Sequence, residues 1–262
     1  MNTKLSGCQL VQVPITMVGE NKFPLVENIR NRYIKYIDFH PTNYLPNTPS
    51  AGLNTTDNLF ITIYDEFGNT QLMRNLPLIR LNYTVTNGIR QVVGAKVSLE
   101  NCYVLNKDAA NVGKVAAFII WYDLPEFTQR NKTDNLCTDY ISVPLTTDTR
   151  YNVLPDYDRM TNKRFRRLLV AAPGITPDGQ DVVGFNTLAN LYLTLRRGSY
   201  NVVENLPMLY LYQLYMVQKT EFQNIIFDFA NSYITIGGAG LIPQVQTDYI
   251  GKYVFLNLQY EK

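Results

Sequence analysis

Short stretches in which apolar and polar side chains alternate recur along the whole chain. Alternation with a period of two is typical of β-strands that bury one face, and these stretches are rich in Val, Ile, Tyr and Phe, which favour strands. In the first half the pattern predicts strands at 9–13, 29–39, 59–64, 78–86, 92–106 (one or two strands) and 114–122. No segment has the pattern of a long helix, so we predict an all-β protein.

The segments between these strands are rich in Pro, Gly and Asn, as turns and loops are. Residues 40–57 contain three prolines among many Asn and Thr residues, a composition that disfavours regular structure. A similar loop is predicted at 172–189, and Asn87-Gly88 predicts a hairpin turn. A long loop at the same place in both halves indicates a shared architecture.

The two halves of the chain repeat one another at a nearly constant spacing. Asn75-Leu76-Pro77 returns as Asn205-Leu206-Pro207, 130 residues later. Five further segments match in the same order: 13–16 with 143–146, 32–35 with 164–167, 58–63 with 190–195, 101–104 with 231–234 and 113–122 with 251–260. A fixed long period indicates tandem duplication. We therefore predict two related domains, at 1–124 and 138–262, joined by a linker at 125–137.

Each predicted domain has seven or eight strands in about 120 residues, with turns at short spacing. This density predicts an antiparallel β-sandwich or barrel. A jelly roll and an immunoglobulin-like sandwich are both open at this point. The strand count and the long loop before residue 59 favour two tandem jelly-roll-like units, and the Cys-Trp-Cys core of antibody domains is absent from the sequence.

Composition limits the classes of partner. Hydrophobic residues make up 46% of the chain and charged residues 18%, which is typical of a globular protein, and the net charge of +2 predicts no general attraction to nucleic acid or anionic membranes. The three cysteines have no framework or zinc spacing. The first residues lack the apolar core of a signal peptide, so we expect a protein made and assembled in the cytoplasm.

The sequence offers little that could support catalysis. His40 is the one histidine, and Pro41 follows it, so we expect a histidine in a surface loop. The segment Gly237-Gly238-Ala239-Gly240 has neither the helix nor the Lys of a phosphate-binding loop, and we expect a flexible loop there. We predict no catalytic residue, no metal site and no cofactor.

One charged segment recurs in both halves. The strand predicted near residue 30 and its counterpart near residue 165 are both basic, and alternation along a strand would place Arg164 and Arg166 on one face. Such a face could meet phosphate groups or acidic neighbours, or it could keep an edge strand soluble. The candidate interaction residues are Arg30, Arg32, Lys35, Lys163, Arg164, Arg166 and Arg167.

Two equal β-domains in 262 residues, without catalytic groups, resemble one group of proteins in architecture. These are the double jelly-roll major capsid proteins of tailless, often membrane-containing bacteriophages. The resemblance implies a homotrimer of nearly sixfold outline that tiles an icosahedral shell. Its partners would be its own copies and other virion proteins, with an internal membrane or the packaged genome as candidates for the basic strands, and its location would be the virion.

Two other functions stay open at the level of sequence. Ring, collar, decoration and tail proteins of tailed phages also use tandem β-domains, and they would assemble with a different number of copies. A carbohydrate-binding β-sandwich is the further alternative, because aromatic residues could line a sugar cleft, among them Trp121, Tyr122, Tyr253, Phe255 and Tyr260.

Overall fold

The computed structural model describes residues 6–48, 50–86, 91–124, 136–146, 151–156, 160–170, 183, 185–216, 225–237 and 249–261. Over these residues the protein is all-β, with several antiparallel sheets and little helix. The chain divides into two compact units. We call Cys8–Asp123 the N-terminal unit, and Leu124–Lys262 with Met1–Gly7 the C-terminal unit.

The N-terminal unit has two four-stranded sheets. One has the strand order β1-β8-β3-β6 and the other β2-β7-β4-β5. The strands are β1 (Ser6–Pro14), β2 (Gly19–Lys22), β3 (Tyr33–His40), β4 (Leu59–Tyr64), β5 (Gln71–Pro77), β6 (Gln91–Lys96), β7 (Tyr103–Asn106) and β8 (Val115–Asp123). Its core includes Phe23, Phe39 and Phe118, whose rings lie 5.0–5.7 Å apart.

The C-terminal unit has a four-stranded and a three-stranded sheet among its described residues, in the orders β10-β14-β12-β13 and β11-β15-β9. Its elements are β9 (Leu136–Pro144), β10 (Asn152–Val153), β11 (Phe165–Val170), α1 (Phe185–Leu188), β12 (Leu191–Arg197), β13 (Tyr200–Pro207), α2 (Met208–Met216), β14 (Asp228–Ile236) and β15 (Tyr253–Glu261). The rings of Phe165, Phe227 and Phe229 pack together in its core.

The strand pairings of the two units agree residue by residue. In the N-terminal unit Ile61 pairs with Leu76 and Ile63 pairs with Met73, so two residues of β5 lie opposite the single residue Thr62 of β4. In the C-terminal unit Leu193 pairs with Leu206 and Leu195 with Val203, which is the same irregularity at the corresponding place. Both pairs of strands therefore share a bulge in the same register.

A backbone hydrogen bond to the hydroxyl of a buried threonine accompanies each bulge. Asn75 and Asn205 have positive φ angles of 46° and 50°, which asparagine tolerates better than most residues. The backbone N–H of Asn75 donates to Thr62 Oγ1 at 3.1 Å, and that of Asn205 donates to Thr194 Oγ1 at 3.1 Å. The asparagine of the repeated Asn-Leu-Pro motif is thus the left-handed residue of a β-bulge in both units.

Two further side-chain arrangements are common to both units. Asn21 Oδ1 accepts from the N–H and hydroxyl of Thr16, and Asn152 Oδ1 accepts from the same two groups of Thr146. In each unit, one further buried side chain forms hydrogen bonds with two backbone groups. Cys102 Sγ accepts from the N–H of Tyr64 and donates to the carbonyl of Ser98, while Ser232 Oγ accepts from the N–H of Arg196 and donates to the carbonyl of Asp228.

The predicted strand at 78–86 is wrong. Pro77 ends β5, and Leu78–Arg80 forms a 3-10 turn that is followed by further turns. Leu78 and Leu81 are buried at a helical spacing of three, which the sequence pattern did not separate from strand alternation. The corresponding segment after Pro207 is the helix α2, which was not predicted, and β5 itself was not predicted either.

Other boundaries shift by a few residues. The strand predicted at 29–39 begins only at Tyr33, because residues 27–31 form a turn in which Asn31 has a φ of 59°. The strand predicted at 59–64 is confirmed, and residues 41–58 lie outside the named strands. Leu136 and Cys137, assigned to the linker, begin β9. Residues 125–135, Asn87-Gly88, Gly238-Ala239-Gly240 and most of 172–189 lie outside the described residues.

Candidate interaction surfaces

The basic residues of the N-terminal unit lie mostly before β3 and not within it. Arg30 is exposed in the turn and forms an ion pair of 3.9 Å with Glu27, three residues earlier. Arg32 follows the left-handed Asn31 and also precedes the strand. The prediction of a basic strand face is therefore wrong for Arg30 and Arg32.

Lys35 is the one candidate of this unit within β3, and its charge is already paired inside the unit. The Lys35 Nζ lies 2.8 Å from Asp123 Oδ1 at the end of β8, and the two side chains are 27% and 15% exposed. A partly buried ion pair of this length stabilises the β3–β8 pairing more than an exposed pair would. Lys35 is thus less available to an outside partner than its position in the sequence indicates.

In the C-terminal unit the basic segment runs from the turn into β11. Lys163 and Arg164 precede the strand, so Arg164 and Arg166 do not share a strand face as predicted. The pairing with β15 shifts register between Phe165 and Arg167, which makes Arg166 the bulge residue. Arg167 is exposed opposite Gln259.

The strand pairings correct the sequence alignment of the two basic segments. Ile34 pairs with Tyr122 and Tyr36 with Trp121, and in the other unit Phe165 pairs with Tyr260 and Arg167 with Gln259. Both strands have a register shift between these pairs, so Lys35 and Arg166 are equivalent bulge residues 131 residues apart, one fewer than the predicted 132. Asn31 and Asn162, also 131 apart, both have a φ of 59°.

Two basic positions therefore recur at the same place in both units. Arg32 and Lys163 each follow the left-handed asparagine, and Lys35 and Arg166 each occupy the bulge. Arg164 and Arg167 correspond to Tyr33 and Tyr36, so the C-terminal unit has the larger concentration of positive charge. In each unit, the basic candidates therefore lie in two places. Some lie in the segment just before one strand, and others lie at or beside the bulge within that strand.

A second surface, which the sequence did not single out, lies on the outer face of β9 and β15. Tyr140 is 53% exposed, and its ring stacks on that of Phe255 with centroids 5.3 Å apart and an angle of 13° between the rings. Asn257 and Ser142 alternate onto the same face, opposite Tyr140 and Phe255 respectively. The signal that could have found this face is the alternation of Tyr140 and Ser142 with the apolar Ile141 and Val143.

The prediction that His40 is a surface-loop histidine is wrong. His40 ends β3, is fully buried, and its Nδ1 lies 2.8 Å from the hydroxyl of Tyr83. The two rings stack with centroids 6.1 Å apart. Burial lowers the pKa of His40 to about 3, so the imidazole is neutral at pH 7.

Among the described residues, no group of three or more His, Cys, Asp or Glu side chains converges as a metal site would require. Over the same part of the chain, no helix has the length and apolar character to cross a membrane. Comparison with known proteins gives no match to any protein family, to any curated protein or to any solved structure.

Proposed function

We propose that each unit is a jelly roll and that the chain arose by tandem duplication of one such domain. The eight strands of the N-terminal unit, ordered 1-8-3-6 and 2-7-4-5, have the order of a jelly roll built from two Greek keys. The seven described strands of the C-terminal unit follow the same order, and Ile225 bridges Phe165 where Ala95 of β6 pairs with Ile34 in the N-terminal unit. The shared bulges and the shared threonine, asparagine and Cys102/Ser232 hydrogen bonds support a common ancestor.

On this basis the chain is a viral structural protein of the double jelly-roll kind, the major capsid protein of a bacteriophage shell. The observation that carries the proposal is the residue-by-residue agreement of strand order and register between the two units. Two like domains in one chain give three chains six similar lobes, and such a trimer can tile a closed shell through repeated side-to-side contacts. No cofactor takes part in this function.

The mass of the native particle tests the proposal. Native mass spectrometry of the purified protein should give a trimer of chains of 30.0 kDa each, and electron microscopy should show plates or shells with pseudo-hexagonal units. A ring of six or twelve copies would support the collar, decoration or tail alternative instead. A monomer at micromolar concentration that forms no particle would refute both assembly functions.

The basic cluster of the C-terminal unit is the proposed inward contact, toward the packaged genome or an internal membrane. Replacement of Arg164, Arg166 and Arg167 by Gln removes three positive charges while keeping long polar side chains. We expect fewer filled particles with unchanged trimer formation. The control replaces Arg74 and Arg80 by Gln, because both are exposed and belong to the other unit. Equal yields of filled particles from both variants would remove this role.

The stacked pair Tyr140 and Phe255 favours carbohydrate binding as a second candidate function. An exposed aromatic ring beside amide and hydroxyl groups offers both a packing surface and hydrogen bonds to a sugar. A glycan array with the purified protein tests this function, with Tyr140→Ala as the variant that should lose binding. Retention of the same glycans by that variant would place any sugar site elsewhere.

A further inference from the structure

One segment of the N-terminal unit is attached to the end of β3 by a small number of identifiable contacts. Residues 81–86, which we call the latch, follow the 3-10 turn after β5. The N–H of Phe39 donates to the carbonyl of Leu81 at 2.8 Å, and Phe39 and Asn82 form an isolated parallel bridge. Within the latch the N–H groups of Val85 and Thr86 both donate to the carbonyl of Asn82, and the N–H groups of Leu81 and Asn82 donate to the carbonyls of Leu78 and Ile79 in the 3-10 turn.

The side-chain contact between the latch and β3 is made by His40 and Tyr83. Both residues are buried, at 0% and 4% exposure, and His40 Nδ1 lies 2.8 Å from Tyr83 Oη with the rings nearly parallel at 10°. This contact adjoins the backbone bonds at Phe39, so the same short piece of β3 holds the latch by main chain and side chain. A change in the charge of His40 therefore acts directly on the attachment.

The groups that face His40 determine how it responds to a proton. Asp38 lies two residues earlier on the same face of β3 and is buried, and its carboxylate would favour a protonated imidazole. Opposite these residues, β8 presents only the apolar Ala117 and Ile119, and the latch presents Tyr83. Burial outweighs the acidic neighbour, because it lowers the pKa of His40 to about 3.

We propose that residues 81–86 are an acid-released latch, which detaches from β3 when His40 takes up a proton. The protonated imidazole is poorly solvated between β8 and Tyr83, and detachment of the latch lets water reach it. Asn82, Tyr83 and the end of β3 then become exposed together. This inference rests on the contacts of the N-terminal unit and holds whichever function the chain has.

The size of the response follows from the two pKa values of His40. The pKa is about 3 with the latch closed and about 6.5 once the imidazole is exposed to water. Between these values only the open form is protonated, so the opening constant rises about tenfold for each unit by which the pH falls. From pH 6.5, where the open form is half protonated, to pH 4.5 the opening constant should rise about fiftyfold.

Hydrogen exchange of the intact protein measures this opening. The protection factor of the Phe39 amide, corrected for the intrinsic effect of pH on exchange, should fall about fiftyfold between pH 6.5 and pH 4.5. Amides of β11 in the C-terminal unit are the internal control, because Leu169 of β11 pairs with Asn257 of β15 as Asp38 of β3 pairs with Ile119 of β8. His40 is the single histidine of the chain, so its NMR titration reports the closed-state pKa directly.

Two variants separate the latch from general acid unfolding. His40→Gln cannot be protonated, so the Phe39 protection factor should become independent of pH over this range. Tyr83→Phe keeps the ring but loses the hydroxyl, so it should lower protection at every pH and retain the slope. An unchanged Phe39 protection factor in the wild-type protein at pH 4.5 would overturn the proposal. The same pH dependence in a folded His40→Gln variant, or in Tyr83→Phe a protection factor equal to the wild type, would do so as well.

Discussion

The threonine beside each bulge provides a quantitative test of the agreement between the two units. Thr62 and Thr194 are both fully buried, and each hydroxyl accepts a hydrogen bond of 3.1 Å from the backbone N–H of an asparagine with positive φ. Thr→Val at either position keeps the shape of the side chain and removes the hydroxyl, which in Thr62 also donates to Asn75 Oδ1 at 3.3 Å and in Thr194 is also hydrogen-bonded to the Tyr233 side chain. The change in the free energy of unfolding should therefore report all the hydrogen bonds of that hydroxyl.

The two substitutions should differ in size because the donors differ in exposure. Asn75 is exposed, so water can replace the lost acceptor and Thr62→Val should cost about 1 kcal/mol. Asn205 is only partly exposed, so its N–H is harder to hydrate and Thr194→Val should cost about 2 kcal/mol. A loss of 1 kcal/mol in a unit of this size lowers its Tm by roughly 4 °C.

Urea unfolding with the spectroscopic signal resolved for each unit measures both free energies. Thr62→Ser and Thr194→Ser are the matched controls, because they keep the hydroxyl and lose a methyl group. If both valine variants stay within about 0.5 kcal/mol of the wild type, the bulge hydrogen bonds contribute nothing measurable. If Thr62→Val is the more costly variant, the exposure argument is wrong.

Three further sets of substitutions each test a single contact or backbone conformation. Asn75→Ala should destabilise the N-terminal unit by about 1 kcal/mol, and Asn75→Gly by much less, because glycine takes a positive φ without strain; thermal unfolding of both checks this. Lys35→Met should cost about 1–2 kcal/mol by leaving Asp123 without its partner, and a double-mutant cycle with Asp123→Asn should recover most of the loss. Cys102→Ser should be nearly neutral in urea unfolding, because Ser232 makes the equivalent two hydrogen bonds, whereas Ser232→Ala should cost about 1–3 kcal/mol.

The sequence predicted a strand correctly where a local turn signal marks the end of the strand. The 59–64 strand was bounded correctly because apolar alternation runs into the turn at Asp65–Gly68, and that turn needs only local residues. It failed at 78–86, since buried residues spaced by three can be read as strand or helical turn over so short a segment. The outcome there depends on Pro77, which ends the strand, and on packing that no local window contains.

The candidate sites were harder to predict from the sequence than the fold. His40 was assigned to a loop because a proline follows it, but its burial depends on Tyr83, which is 43 residues away in the chain. The basic residues were read as one strand face because alternation counts every residue equally. A left-handed asparagine before the strand and a bulge within it interrupt the alternation of faces. Neither feature can be recognised from the sequence, because the residues involved also occur in regular strands.

The proposed duplication explains which positions kept their character and which diverged. The polar groups that satisfy backbone atoms, such as Thr62 and Thr194, recur because an unpaired backbone group costs stability whatever lies outside the sheet. The face of β3 and β8 that carries Asp38 and Ile119 is buried, whereas the corresponding face of the C-terminal unit, with Asn257 opposite Leu169, is partly exposed. If the function is self-assembly, this divergence is where the two units must meet different neighbours. Substitutions at partly exposed positions such as Asn257 should change assembly more than they change the stability of the C-terminal unit.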